Sequence, residues 1–174
     1  LTLRSTDGSA WPAGGLGFTN YTIDVSTSQS QPTVLSALYA NNEGADKVRV
    51  RSGALSVASQ SFPGGAGVNA FGQTIHFDRA FVYRGGDVCI TVRHAGSGSA
   101  APAALMETHP QTFRSQMIIS SGNINAGSGT VQSKGPVMRL EFNPSVVVPV
   151  ENTATPGDTG YPILLAAGGN VHQS

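Results

Sequence analysis

Short runs of alternating apolar and polar residues, each ended by Gly, Pro, Asn or Ser, recur along this sequence. The clearest stretch covers residues 75–96 and holds two such runs, residues 75–78 and 88–93. A period of two that is rich in β-branched residues is typical of strands with one face in a core. We therefore predict a hairpin here. Gly85 and Gly86 lie between the runs, and glycine accepts the positive φ that a turn can require.

The same pattern predicts about eight strands in all and no amphipathic helix. Outside the hairpin, the predicted strands cover residues 1–4, 18–26, 47–52, 54–58, 104–108, 115–121 and 137–143. Short strands separated by regular turns favour an all-β fold, an antiparallel two-sheet β-sandwich or jelly roll. We assign this domain to residues 1–143. Residues 144–174, which contain several Pro and Gly, are predicted to form an extended C-terminal arm.

The charge content excludes several classes of partner. Charged residues make up 11% of the chain and the net charge is zero, whereas globular domains average about 25% charged residues. Nucleic-acid binding requires a basic surface, which this composition does not supply.

No apolar run reaches the ~18 residues of a membrane span. The one cysteine, Cys89, excludes an intrachain disulfide and is expected to be a small packed side chain.

The sequence offers no catalytic constellation, and we predict that the protein is not an enzyme. The Gly-x-Ser-x-Gly motif of serine hydrolases does not occur, and the four histidines have no metal-ligand spacing. His94 is in phase with the apolar residues of its strand, so we expect it to cap the core. The acidic side chains Asp24 and Glu141 are expected to pair with arginines of neighbouring strands.

One loop contains oxygen ligands of the kind that calcium takes, namely Asn41, Glu43 and Asp46. The loop lacks the spacing of an EF-hand. A hydrogen-bonded turn is therefore the favoured interpretation, with calcium as the alternative, and no other cofactor is predicted.

The C-terminal arm holds two apolar runs, residues 146–150 and 161–167. Prolines bias the first run away from a central strand. The second run follows a linker-like stretch and needs a surface on which to be buried. The candidate assembly residues in it are Tyr161, Ile163, Leu164 and Leu165. A tether of about 17 residues is long enough to bring this run to a neighbouring molecule.

Five segments together resemble a known family: residues 18–28, 44–53, 62–67, 81–97 and 137–142. They are similar to the β-sandwich domain of exported proteins of environmental bacteria, many of which carry a C-terminal PEP-CTERM-like sorting segment. The resemblance implies export and a role at the cell surface or in a matrix, and it implies no catalytic residue. The chain begins at a strand that others precede in such domains, which suggests an incomplete sheet. Its tail also lacks the helix and basic ending of a sorting segment.

Two functional hypotheses follow. The first is a non-catalytic structural subunit of a bacterial extracellular or surface assembly. It would associate with copies of itself through the C-terminal arm and an open sheet edge. The second is a carbohydrate-binding module that presents its ligand site on loops such as residues 62–72. Trp11, Tyr39 and Tyr83 are the candidate aromatic platform for a sugar.

Overall fold

The computed structural model describes residues 1–6, 8–97, 107–109, 116–120 and 123–141. This part of the chain is rich in strands and has almost no helix, which confirms the all-β prediction. The strands are β1 (Thr2–Leu3), β2 (Leu16–Phe18), β3 (Tyr21–Thr27), β4 (Val48–Arg51), β5 (Leu55–Val57), β6 (Val88–His94), β7 (Thr108–His109), β8 (Met117–Ile119), β9 (Thr130–Gln132), β10 (Gly135–Pro136) and β11 (Met138–Arg139).

The strands pair antiparallel throughout the described residues. The largest sheet has the order β4-β3-β6, and the remaining pairs are β1-β11, β2-β5, β7-β10 and β8-β9. These pairings support the antiparallel all-β class. How the small sheets are layered, as a sandwich or a jelly roll, stays a prediction.

β3 is the central strand of the three-stranded sheet, and its alternation builds the core. Tyr21, Ile23 and Val25 are buried on one face, and Ile23 is completely inaccessible to solvent. Val50 of β4 is equally inaccessible beside them. The further buried apolar residues of the core are Leu1, Leu55, Val57, Phe62 and Ile75.

The opposite face of β3 is polar, yet Asp24 on that face is buried. Arg49 of β4 donates two hydrogen bonds to its carboxylate, from Nε to Oδ1 at 2.8 Å and from Nη2 to Oδ2 at 3.1 Å. This fork-like contact satisfies the buried charge. It confirms that Asp24 pairs with an arginine on a neighbouring strand.

The predicted hairpin over residues 75–96 is wrong. β6 forms where the pattern places it, but it pairs along its whole length with β3, from Tyr21↔His94 to Thr27↔Val88. Residues 75–78 form no strand. Ile75 N–H instead donates to Leu1 O at 2.7 Å, and Asp78 N–H donates to Val50 O at 2.7 Å.

The hairpin does not form because the segment between the two runs is long and because β3 offers β6 a longer partner. Residues 79–87 are too many for the tight turn that a hairpin prefers, although Gly85 and Gly86 do adopt positive φ. A seven-residue strand gains more from the matching seven residues of β3 than from a four-residue run. In the same way, the strand predicted at residues 54–58 forms as β5 but pairs with β2.

Several predictions lie outside the described residues. They include the C-terminal arm over residues 144–174, with its candidate assembly residues Tyr161, Ile163, Leu164 and Leu165. Within the described residues, no helix has the length and apolar character needed to cross a membrane.

Candidate functional site

The candidate site is the outer edge of β6 in the core sheet. β6 is the last strand in the order β4-β3-β6, and no described strand pairs with its far side. Ser28 N–H donates to Asp87 O at 2.7 Å, while Tyr21 N–H turns the other way and donates to Gly53 O at 2.9 Å. Antiparallel strands alternate in this manner. The N–H and C=O groups of residues 88, 90, 92 and 94 therefore point away from β3, toward the open edge.

The opposite edge of the same sheet is covered. Asp78 N–H and Arg79 N–H both donate to Val50 O, at 2.7 and 3.1 Å. Asp78 also accepts a hydrogen bond on Oδ2 from Ser52 N–H at 3.0 Å. Residues 78–79 thus occupy the β4 edge, which leaves β6 as the edge available for pairing in the described part of this sheet.

A groove of about 840 Å³ runs along β6. We call it the β6 groove. One wall is β6 itself, from Val88 to His94. The apolar side chains on its other sides are Leu35, Met117, Ile118, Ile124, Pro136, Met138 and Leu140. Because Met117 lies in β8, Pro136 in β10 and Met138 in β11, the groove lies between strands of four different sheets.

The apolar face of β6 is part of the core face of the sheet. Val88, Ile90 and Val92 lie opposite Thr27, Val25 and Ile23 of β3, and residues directly opposite each other share a face. Ile90 packs against the core. Val88 and Val92, however, are 37% and 42% exposed. The sequence pattern thus correctly predicts which side chains of β6 lie on the core face. The described residues cover these side chains only in part.

Charges that line the β6 groove are balanced. The described lining includes one carboxylate, Asp87, and one guanidinium, Arg93. Arg93 Nη1 donates to Ile124 O at 3.0 Å and to Ala126 O at 2.9 Å. Its guanidinium also lies 5.1 Å from the centre of the Tyr39 ring. Gln116 is another lining residue, and its buried Oε1 has no hydrogen-bond partner among the described residues.

His94 lines the groove and packs on aromatic rings. Its imidazole stacks on Tyr21 with ring centres 5.5 Å apart, and it meets Phe18 edge-on at 5.0 Å. This packing agrees with the predicted role as a cap of the core. Partial burial lowers the pKa of His94, because the charged imidazolium loses some of its hydration there.

We expect stability to decrease as the pH falls from 7.5 to 5.5. The unfolded chain takes up a proton on His94 near the usual pKa of 6.5, whereas the folded chain takes it up only at lower pH. The stabilisation is therefore complete above about pH 6.5 and is lost below it. Urea unfolding at both pH values should show a smaller decrease for His94→Gln than for the wild type. His76→Gln, which changes a histidine outside the β6 groove, is the control. An unchanged decrease in His94→Gln would contradict this role.

The calcium candidates make hydrogen bonds within the protein. Asn41 Nδ2 donates to Ser36 Oγ at 3.1 Å. Glu43 Oε2 binds Lys47 Nζ at 2.7 Å, and its Oε1 accepts from Thr91 Oγ1 at 2.7 Å. The loop is thus the hydrogen-bonded turn that the sequence favours. In the described residues, no three His, Cys, Asp or Glu side chains form a group that could hold a metal ion.

Asp46, the third candidate, is bound to Thr27. The carboxylate accepts hydrogen bonds from Thr27 Oγ1 at 2.6 Å and from Thr27 N–H at 2.9 Å. The hydroxyl hydrogen bond is the main reason that the pKa of Asp46 is lowered. Asp46 therefore fastens the loop to the end of β3.

The three aromatic residues of the carbohydrate hypothesis have separate local contacts. Trp11 packs edge-on against Phe62 with ring centres 5.5 Å apart. Tyr39 lies beside Arg93, and Tyr83 donates its hydroxyl hydrogen to Gly86 O at 2.7 Å. These contacts give no support to a shared sugar platform, and carbohydrate binding stays a hypothesis.

Cys89 is partly buried on β6, and burial raises the pKa of its thiol. A thiol with a raised pKa stays protonated and is therefore a poor nucleophile. The residue therefore fits the predicted role of a small packed side chain.

Comparison with family models, with curated proteins and with solved structures finds no match. The resemblance to exported bacterial β-sandwich domains thus stays a prediction.

Proposed function

We propose that this chain is a non-catalytic structural subunit of an extracellular or cell-surface assembly, and that it associates with copies of itself through the outer edge of β6. The observation that supports this proposal is that no described strand pairs with the outer edge of β6, which lies beside an apolar groove. Soluble proteins usually protect a sheet edge with charges, prolines, bulges or a covering segment. In β6, the residues whose main-chain N–H and C=O groups point to the open edge include Val88, Ile90 and Val92, which are all apolar.

The chemistry of the polar side chains agrees with a structural role. The buried carboxylate of Asp24 is neutralised by Arg49, and Glu43 is held by Lys47 and Thr91. His94 is packed on Tyr21. These groups stabilise the fold, and we assign no catalytic residue.

The oligomeric state of a β6 variant tests the proposal. Val92→Lys places an ammonium group on the apolar face of the edge strand. Burying it without a partner costs more than the ~1.4 kcal/mol that corresponds to a tenfold change in affinity. We expect light scattering to show large assemblies for the wild type. In the variant, association should be weaker by about tenfold or more.

Val68→Lys is the matched control, because Val68 is 79% exposed and does not line the groove. It should assemble like the wild type, and circular dichroism should show that both variants are folded. A wild type that stays monomeric at every concentration would contradict the proposal. Unchanged assembly of Val92→Lys would contradict it equally.

A further inference from the structure

The β6 groove has the geometry of a slot for one extended strand. On one side, main-chain groups of alternate β6 residues are directed into it over a strand of seven residues. On the other side lie Met117 and Ile118 of β8. A strand added beside β6 gains main-chain hydrogen bonds from the edge and specificity from alternate side chains. Since side chains of β8, β10 and β11 line the slot beside β6, a single segment enters it more readily than the edge of a second folded sheet.

The surface of the slot selects an apolar, uncharged occupant. Val88 and Val92 expose part of the core face there, and Met138 and Leu140 also line the slot. The one carboxylate and the one guanidinium of the described lining balance each other. A charged segment would lose hydration without gaining a partner, whereas apolar side chains would complete the cover of the core.

Residues 161–167 of this sequence match that description. They number seven, as β6 does, and read Tyr-Pro-Ile-Leu-Leu-Ala-Ala without a charge. The only proline stands at the second position, so the last five residues keep their N–H groups for pairing. In an extended segment, Ile163 and Leu165 share one face, and Leu164 lies on the other.

The length of chain between Leu140 and each apolar run distinguishes residues 161–167 from the earlier run at residues 146–150. Leu140 lines the β6 groove of its own molecule. Five residues separate it from Val146, and these extend over at most ~18 Å. The 22 residues before Ile163 can extend over at most ~75 Å, which is enough to reach another molecule.

We propose that residues 161–167 of one copy insert beside β6 of another copy as an additional strand. This inference rests on the proposed function and names the segment that occupies the open edge. Each copy both donates a strand and receives one, so the contact is head-to-tail and propagates into rings or filaments.

Two deletions of equal length test this inference. Deleting residues 161–167 should convert the assembly into monomers by light scattering. Deleting residues 168–174 removes seven residues outside the donated strand and should leave assembly unchanged. If the first deletion still assembles while Val92→Lys does not, the strand donation is wrong and the proposed function stands. If Val92→Lys also assembles, both are wrong. If both deletions abolish assembly, the assignment to residues 161–167 is overturned.

Cysteine cross-linking gives a second readout that does not depend on a deletion. In a Cys89→Ser background, one copy carries Leu165→Cys, and the other carries a cysteine in place of Val88, Ile90 or Val92. Mixing the two under mild oxidation should give a disulfide-linked dimer for at least one of the three positions. A control copy with Val68→Cys should give none. If none of the three β6 positions cross-links, the inference is overturned.

Discussion

Replacing Ile23 with alanine is expected to lower the free energy of unfolding by about 3–4 kcal/mol. Ile23 lies in the middle of the central strand β3 and is completely inaccessible to solvent. Its side chain belongs to the buried core cluster that includes Tyr21, Val25 and Val50. Truncation removes buried apolar volume and leaves a cavity that a strand paired on both sides cannot easily close.

Urea denaturation at neutral pH measures this effect. Val68→Ala is the control, because its side chain is 79% exposed and the free energy of unfolding should change by no more than ~0.5 kcal/mol. A loss below ~1 kcal/mol for Ile23→Ala would show that β3 is not at the centre of the core.

Gly64→Ala is the second change with a large expected effect. A Cβ atom at residue 64 would overlap the main chain of Ser9. The two segments are held together nearby by the bridge between Trp11 and Phe62, whose two main-chain hydrogen bonds are each 2.8 Å long. The loop has to move away, which strains this bridge and the packing of Trp11 on Phe62. We expect a loss of about 1–3 kcal/mol.

Gly67→Ala is the matched control for this variant. Gly67 lies in the same loop, has open space where the alanine methyl group would lie, and does not adopt a positive φ. The unfolding midpoint of this variant in urea should equal or slightly exceed that of the wild type, since alanine restricts the unfolded chain. Equal stability of Gly64→Ala and Gly67→Ala would contradict the close approach to Ser9.

The alternation of apolar and polar residues was sufficient to predict the strands of the core sheet and their buried faces. β3, β4 and β6 lie within or close to the predicted ranges, and Ile23 and Val50 are buried as their phase requires. The partner of β6 could not be predicted in this way. A period of two defines which side chains share a face, but it contains no information about which distant strand lies alongside.

The candidate site depends on which strands lie beside one another, and the sequence pattern does not contain this information. The prediction of an open edge came from the family resemblance, and it did not identify which strand is open. In the sequence, Val88 and Val92 have the pattern of ordinary core residues. Only the strand order shows that β6 is the last described strand of its sheet. The far wall of the groove comes from β8 and from residues 136–140, which nothing in the local pattern connects to β6.

The pairing of β1 with β11 has a consequence for the order of folding. Thr2 lies opposite Arg139, and Leu3 lies opposite Met138. During synthesis, β1 is made long before β11. The two strands can pair only after residues 138–139 have been made. β3 and β4, in contrast, are near neighbours in sequence and can pair early. Contacts between remote segments are slow to form, because a long loop must close first. A chain that is stopped before residue 138 therefore lacks the partner strand of β1.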